Sequence, residues 1–337
     1  MLLTRACFVP AIAALLCLGC GGSGSPTTPS GSTTTTNTTT TTTGTTSSGG
    51  STTFSFTRTP LDASRIQWVT PLGNLNPPAH TFPTDHVHFY HHFGRESDAQ
   101  YDVFAPADGS IVTIQRGNDD ALYIASSGIH TYYLGHMLAD SSLATGSRVT
   151  AGQRVGTTSP VSHALDLGVL NSTVNVAFIT PNRYSTNSLH AEAPLPYFAE
   201  PLKSQLYGIV RSTAGNLDGT INYDRSGTAS GNWFHETLGI AESVGPAAGP
   251  RHIAFVRDPE DPSRKVVSLG GTVSTAGIYY MDASDPDPVN ITPSSGPVVL
   301  HLSNTQQAIT GVPMTVTLTT GTRMRVQFRG GDAFYVR

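Results

Sequence analysis

Three stretches in a fixed order decide the fold: YDVFAPADGSIVTI (101–114), HTYYLGHMLADSSLATGSRVTAGQRVGTTS (130–159) and SHALDLGV (162–169). Each mixes β-branched and aromatic residues in short runs broken by Gly, Asp and Pro, the composition of strands joined by tight turns. IVTIQ (111–115), ALYIA (121–125), HTYYLGH (130–136) and HALDLGVL (163–170) read as strands. No amphipathic helical pattern of useful length appears. Gly109, Gly146, Gly152 and Gly156 fall where a tightly curled sheet must turn sharply.

Composition agrees. Of 337 residues 12% are charged, about half the usual globular share, while Gly 34 and Pro 23 mark a turn-rich β protein. The formal charge is -4, and no basic stripe exists to follow a phosphate backbone, which argues against nucleic acid as a partner.

All three cysteines, Cys7, Cys17 and Cys20, lie in the first twenty residues. MLLTRACFVPAIAALLCLGCGG places Arg5 ahead of an apolar run that ends in small residues. This is the pattern of a secretory signal, too short to span a membrane stably. Its LLCLGC end resembles a lipobox, which implies acylation of Cys20, a membrane anchor through that lipid, and an exported protein at the cell envelope, the outer membrane or cell surface. Residues 21–53 are almost wholly Thr, Ser and Gly; nothing there offsets the entropy of ordering, so a disordered tether is expected. Folded sequence is expected at 54–201, followed by a second β-rich part at 202–337. In that second part INYDRSGTASGNWF (221–234), HIAFVRD (252–258), GIYYMD (277–282), PVVLHL (297–302) and MTVTLTTGTRMRVQF (314–328) read as strands, the last turning at TTGT. A small sandwich, or else a barrel, suits their number and spacing.

Chemistry-bearing residues concentrate in PPAHTFPTDHVHFYHHF (77–93), which holds five of the twelve histidines. HFYHHFGRESDAQ (88–100) reads as a polar surface insertion. In the second part, Trp233 in GNWFHE (231–236) reads as core in preference to a sugar-stacking platform. DPEDPSRK (258–265) and DASDPDPVN (282–290) read as solvated turns, without the regular carboxylates of a calcium loop.

The order of motifs quoted at the outset resembles the lysostaphin/LytM-type zinc endopeptidases and their duplicated hybrid motif, over about residues 70–175. The resemblance implies an all-β protein: a lysostaphin-like barrel/sandwich hybrid followed by the second β-rich domain. It also implies a zinc held by a His and an Asp four residues apart and by the second His of a His-x-His pair. The first His of that pair, and the His of the LGHM strand, would assist with water and oxyanion. Carried over, His136 takes the LGHM position and His163 the first place of the pair, while Leu165 stands where the third ligand belongs. Upstream, His80 and Asp85 are five apart, and four residues beyond His86 stands Tyr90. Because strand residues alternate in facing, Asp166 is expected to point away from a site that includes His163.

Two expectations of activity follow. The first is an envelope lipoprotein whose degenerate peptidase-like domain binds peptidoglycan or an envelope protein, inactive because leucine cannot hold a metal. The second is an active zinc endopeptidase using His80 or His86, Asp85 and His163 as ligands, with His136 beside the oxyanion, on cell-wall cross-bridges or extracellular peptides. A stalk module without a site is a third.

Overall fold

The computed structural model describes residues 54–91, 100–213 and 215–337. The signal stretch, Cys20, the Thr/Ser/Gly tract and His92 lie outside the described residues. Residues 52–337 form one compact unit.

Strand-forming runs give a ten-stranded first sheet: β1 (Trp68–Thr70), β2 (Val87–Tyr90), β3 (Asp102–Phe104), β4 (Gly109–Gln115), β5 (Asp120–Ala125), β6 (His130–Ala139), β7 (Arg148–Val149), β8 (Arg154–Thr158), β9 (Ala164–Asn171) and β10 (Ala191–Glu192). The main path runs β1-β2-β9-β6-β5-β4-β7, with β10 on β9, and β8 bridging β3 and β6. Every pairing between these strands is antiparallel. The left-handed φ of 89° at Gly146 and 82° at Gly152 supplies the turns around β7.

The core of this sheet follows alternation. Val87, Phe89, Leu122, Ile124, Leu134, Leu165, Leu167 and Val169 are all buried in one cluster. Phe56 and Phe198 close it from flanking segments, and Leu206 and Ile221 join it, so the first core reaches past Leu202.

The second sheet is a closed eight-stranded antiparallel barrel, where a sandwich was the first expectation. Its strands are β11 (Gly231–His235), β12 (His252–Arg257), β13 (Lys265–Leu269), β14 (Gly277–Met281), β15 (Val298–Asn304), β16 (Ile309–Thr320), β17 (Arg323–Phe328) and β18 (Gly331–Val336). β18 pairs back onto β11, Phe234 against Val336, which removes both sheet edges. The hairpin at TTGT joins β16 to β17 as its residues anticipate. Trp233 is fully buried in the barrel and donates its indole N–H to the Ala229 carbonyl, 2.8 Å away, so it offers no sugar platform.

Phe82 pins the loop before β2 to this barrel. Its ring stacks on His252 at 4.0 Å between centroids and meets Phe234 edge-on at 5.1 Å. Thr81 Oγ1 adds a hydrogen bond of 2.8 Å to the Gly249 carbonyl. Burial, reinforced by the charges of Arg251 and Arg183, pushes the His252 imidazole down to about 3 despite a hydrogen bond to the Ser243 backbone. The folded protein therefore keeps His252 neutral where the unfolded chain, with an ordinary imidazole, takes up a proton. The stability this neutral state allows is intact above about pH 6.5 and falls by about 1.4 kcal/mol per pH unit toward pH 3. His252→Phe, which keeps the ring stack, is expected to lose about 3 kcal/mol less than the parent between pH 6.5 and 4, read from urea midpoints. Equal acid slopes would show that His252 titrates normally in the fold.

Candidate metal centre

The site grows from one strand pairing. β2 and β9 run antiparallel with Val87 opposite Leu167, His88 opposite Asp166 and Phe89 opposite Leu165. Side chains alternate across a sheet, so Val87, Phe89, Leu165 and Leu167 turn into the core, while His86, His88 and Asp166 share the other face. Ligand-capable atoms of these three residues all lie within 4.8 Å of one another, and all three residues are buried.

Each imidazole presents Nε2 because its Nδ1 is occupied. His86 Nδ1 lies 3.0 Å from Asp85 Oδ1 and 3.0 Å from the Tyr133 hydroxyl. His88 Nδ1 lies 3.1 Å from Thr70 Oγ1. Across the gap, His86 Nε2 is 3.4 Å from Asp166 Oδ2, and His88 Nε2 is 3.6 Å from Asp166 Oδ1. His86 Nε2 and Asp166 Oδ1 are buried without a hydrogen-bond partner. Buried polar atoms are rarely left so, and outer partners that fix a ring's free nitrogen are what metal-binding histidines have. Around a tetrahedral zinc with bonds near 2.1 Å, neighbouring donors stand roughly 3.4 Å apart, close to the 3.4 and 3.6 Å that separate each imidazole from an Asp166 oxygen. Two nitrogens and a carboxylate are a donor set that fits a divalent metal such as zinc.

Asp85 belongs to the outer ring of this site. Tyr133 donates to its Oδ1 at 2.7 Å and Ser188 to its Oδ2 at 2.8 Å. Burial alone would raise its pKa, but the His86 contact and these hydroxyls hold it at about 2. Gly168 makes this possible: a Cβ there would sit 2.1 Å from the Tyr133 ring that reaches Asp85. Burial also opposes charge on His86, yet Asp166 and Asp85 outweigh it and lift that imidazole to about 9. His88 moves the other way, to about 3, because burial and the neighbouring histidines outweigh Asp166.

His136 joins from β6. Between the pairs Leu122–Leu134 and Asp120–Met137 the strand carries one extra residue, and His136 there has a φ of 57°. Such a bulge re-aims a side chain. Its Nε2 lies 3.5 Å from Asp166 Oδ2, and its Nδ1 is hydrogen-bonded to Asp119. His80 sits half-buried on the turn before β2, its ring centroid 5.5 Å from that of His86.

Of the residues singled out in the sequence, His86 stands in the cluster, Asp85 and His136 touch its members, and His80 borders it. His163 does not enter: it is exposed just before β9, where its carbonyl accepts the His91 N–H at 3.1 Å. Asp166 does point away from Leu165 and Leu167 as expected; what is corrected is which face carries the site, because the face of Leu165, Leu167 and Val169 is core and His163 lies before the strand. Leu165 is fully buried core, not a vacated ligand position. His91, read as part of a solvated insertion, is buried with its ring edge-on to Tyr101. His88 and Asp166 are not among the ligands expected from the sequence, and Asp119 is not anticipated as the partner of His136. The available signal for the first two was the apolar parity of VHF and ALDLGV.

No family model and no curated protein matches the chain. Solved structures similar to it include a zinc-containing peptidase from Vibrio cholerae (17% identity, 35% of this chain and 37% of that one, TM-score 0.28). Others are the catalytic domain of lysostaphin from Staphylococcus simulans (19%, 40% and 93%, 0.27) and a putative M23 peptidase from Pseudomonas aeruginosa (17%, 35% and 45%, 0.23). The matched region spans well under half of the Vibrio chain. These are lysostaphin/LytM-like, M23-type peptidase domains, the class that the motif order resembles; in this chain the ligand pattern departs from the one that resemblance implies.

Asp166→Ala and His88→Ala are each expected to weaken zinc binding by roughly 100-fold or more in a metal titration, while His163→Ala leaves it unchanged. Leu165→His is expected to add no affinity and to cost about 2–5 kcal/mol in thermal or urea unfolding, since it buries an imidazole without a partner. A gain of metal binding in Leu165→His would mean that β9 is read one residue out of register.

Proposed function

We propose that this chain is a zinc-dependent peptidase of the cell envelope, held to a membrane through lipid on Cys20 and acting on peptides of the cell wall or its surroundings. The observation that carries the reading is the convergence of His86, His88 and Asp166, with His136 and its carboxylate partner alongside. Zinc held there would supply a polarising charge for a peptide carbonyl and for water. The chain's own residues do the rest. Asp119 on Nδ1 orients His136 so that Nε2 faces the cluster, where it takes up or donates a proton beside the reacting bond. Asp85, Tyr133 and Thr70 hold the two ligand rings in position.

A second reading, a domain that binds peptidoglycan or an envelope protein without cutting it, is favoured by one specific feature. Two residues before Asp166 stands Ala164, so the additional imidazole that the family resemblance implies at that point is absent.

Hydrolysis of cell-wall sacculi and of model peptides by zinc-loaded protein decides between the two. The peptidase reading expects release of new amino termini that a chelator abolishes and zinc restores. His136→Ala is expected to lower kcat by about 10²–10⁴-fold, and Asp119→Asn by roughly 10-fold or more, both with zinc stoichiometry intact. Retained binding to sacculi with no cleavage would establish the second reading. For the anchor, Cys20→Ala is expected to release the protein from membranes with loss of the lipid mass; unchanged retention would remove the lipid from the account.

A further inference from the structure

Beside the metal cluster lies a cavity of about 270 Å³ whose walls come from both sheets. His80, His86 and Ser188 line it from the first part, and Ser243 and His252 from the barrel side. Arg183 stands between them, half-buried, over the face of Phe234 at 5.1 Å.

Arg183 is unusual among the half-buried arginines. Arg257 pairs with Asp287, and Arg337 lies 3.9 Å from Asp224. Among the described residues no carboxylate pairs with Arg183. Its Nη1 donates to the Leu238 carbonyl at 3.1 Å and to Ser243 Oγ at 2.8 Å, which fixes the plane of the guanidinium. Nη2 and Nε remain, the edge that forms two parallel bonds to a carboxylate. His252 supplies an independent sign of a built polar site: it is 8% exposed, lines the cavity, and its Nε2 has no hydrogen-bond partner. Asp85, which also lines the cavity, is already engaged by His86, Tyr133 and Ser188 and makes no ion pair with the arginine.

We infer that this cavity is a substrate subsite in which Arg183 grips a carboxylate of a peptide chain close to the bond presented at His86, His88 and Asp166. The inference rests on the peptidase reading for the purpose of that grip, but the grip itself is tested without cleavage. On this view the barrel is part of the substrate site, since Leu238 and Ser243 hold the arginine and His252 walls the pocket. The volume suits one acidic side chain, or one chain terminus, with a few waters at about 30 Å³ each.

The test is fluorescence anisotropy on the whole folded protein with four labelled probes. Ala-Ala-Glu-Ala-Ala amide is set against its Gln counterpart, and penta-alanine with a free terminal carboxylate against its amide. At least one carboxylate probe is expected to bind ten times or more tighter than its neutral twin, and which pair shows the difference identifies side chain or terminus as the source. Arg183→Gln is expected to abolish that difference, and Arg183→Lys to keep a fraction of it. Ser243→Ala, which removes a bond to the arginine but not its charge, guards against a folding defect, and zinc content is measured in every sample. Equal binding within both pairs, or no binding of any probe by the parent protein, overturns the inference even if hydrolysis is found. A carboxylate preference that depends on Arg183 in a protein that cuts nothing sustains the subsite and removes the peptidase reading.

Discussion

The centre depends on the register of two strands. With His88 opposite Asp166, the period of two places two imidazoles and a carboxylate on one face of the β2–β9 pair, and four apolar side chains on the other. A slip of one residue by β9 would turn Asp166 into the core and expose Leu165 and Leu167, and the trio would be split. The hydrophobic term therefore enforces the geometry of the site: burying each large apolar side chain is worth about 1.5–3 kcal/mol, and several of them vote for one register.

Around that register the ligand rings and their neighbours are held by hydrogen bonds from outside the trio. Thr70 and Asp85 turn the two rings, Tyr133 and Ser188 satisfy Asp85, and Asp119 turns His136. Charge is balanced in the same arrangement. Asp166 is held below the ordinary carboxylate range because the nearby histidines outweigh its burial, and His86 is correspondingly held up to about 9. A buried carboxylate that faces imidazoles at 3.4–3.6 Å, without a short hydrogen bond to close the gap, keeps room for a cation at its centre.

Much of this was legible in the chain itself. Strand runs broken by Gly, Asp and Pro gave the all-β class, the LGHM and AGQ turn motifs gave the likeness to lysostaphin-type domains, and His86 and His136 were singled out. The ligand partners are not legible in this way, because the histidine of SHALDL has the parity of the core face, and taking it for a site residue puts the site on the wrong side of the strand. His163 lies outside the strand, where alternation has not begun. Counting from the leucines would have put Asp166 on the polar face, and counting from Val87 and Phe89 would have paired His86 with His88. Asp119 was beyond such counting: it reaches His136 only through a bulge with left-handed backbone, which local patterning does not announce. Barrel closure was likewise hidden, since pairing the first strand with the last is a contact across the whole second part.

The arrangement of donors bears on what degeneracy means in this chain. Measured against the pattern its resemblance implies, the ligand positions are disturbed while His136 keeps the LGHM place: His and Asp are not four apart, and the final strand lacks its histidine pair. Yet the chemical inventory at the centre, two imidazoles and one carboxylate, is the same set with its members moved. The carboxylate now stands on β9, and β2 with the residue before it supplies both nitrogens. Because the two strands are directly paired, a donor moved from one to the other still faces the same point, and the third imidazole, His136, needs only its bulge to meet it. Loss of a motif in the sequence is thus a different event from loss of a donor set in space.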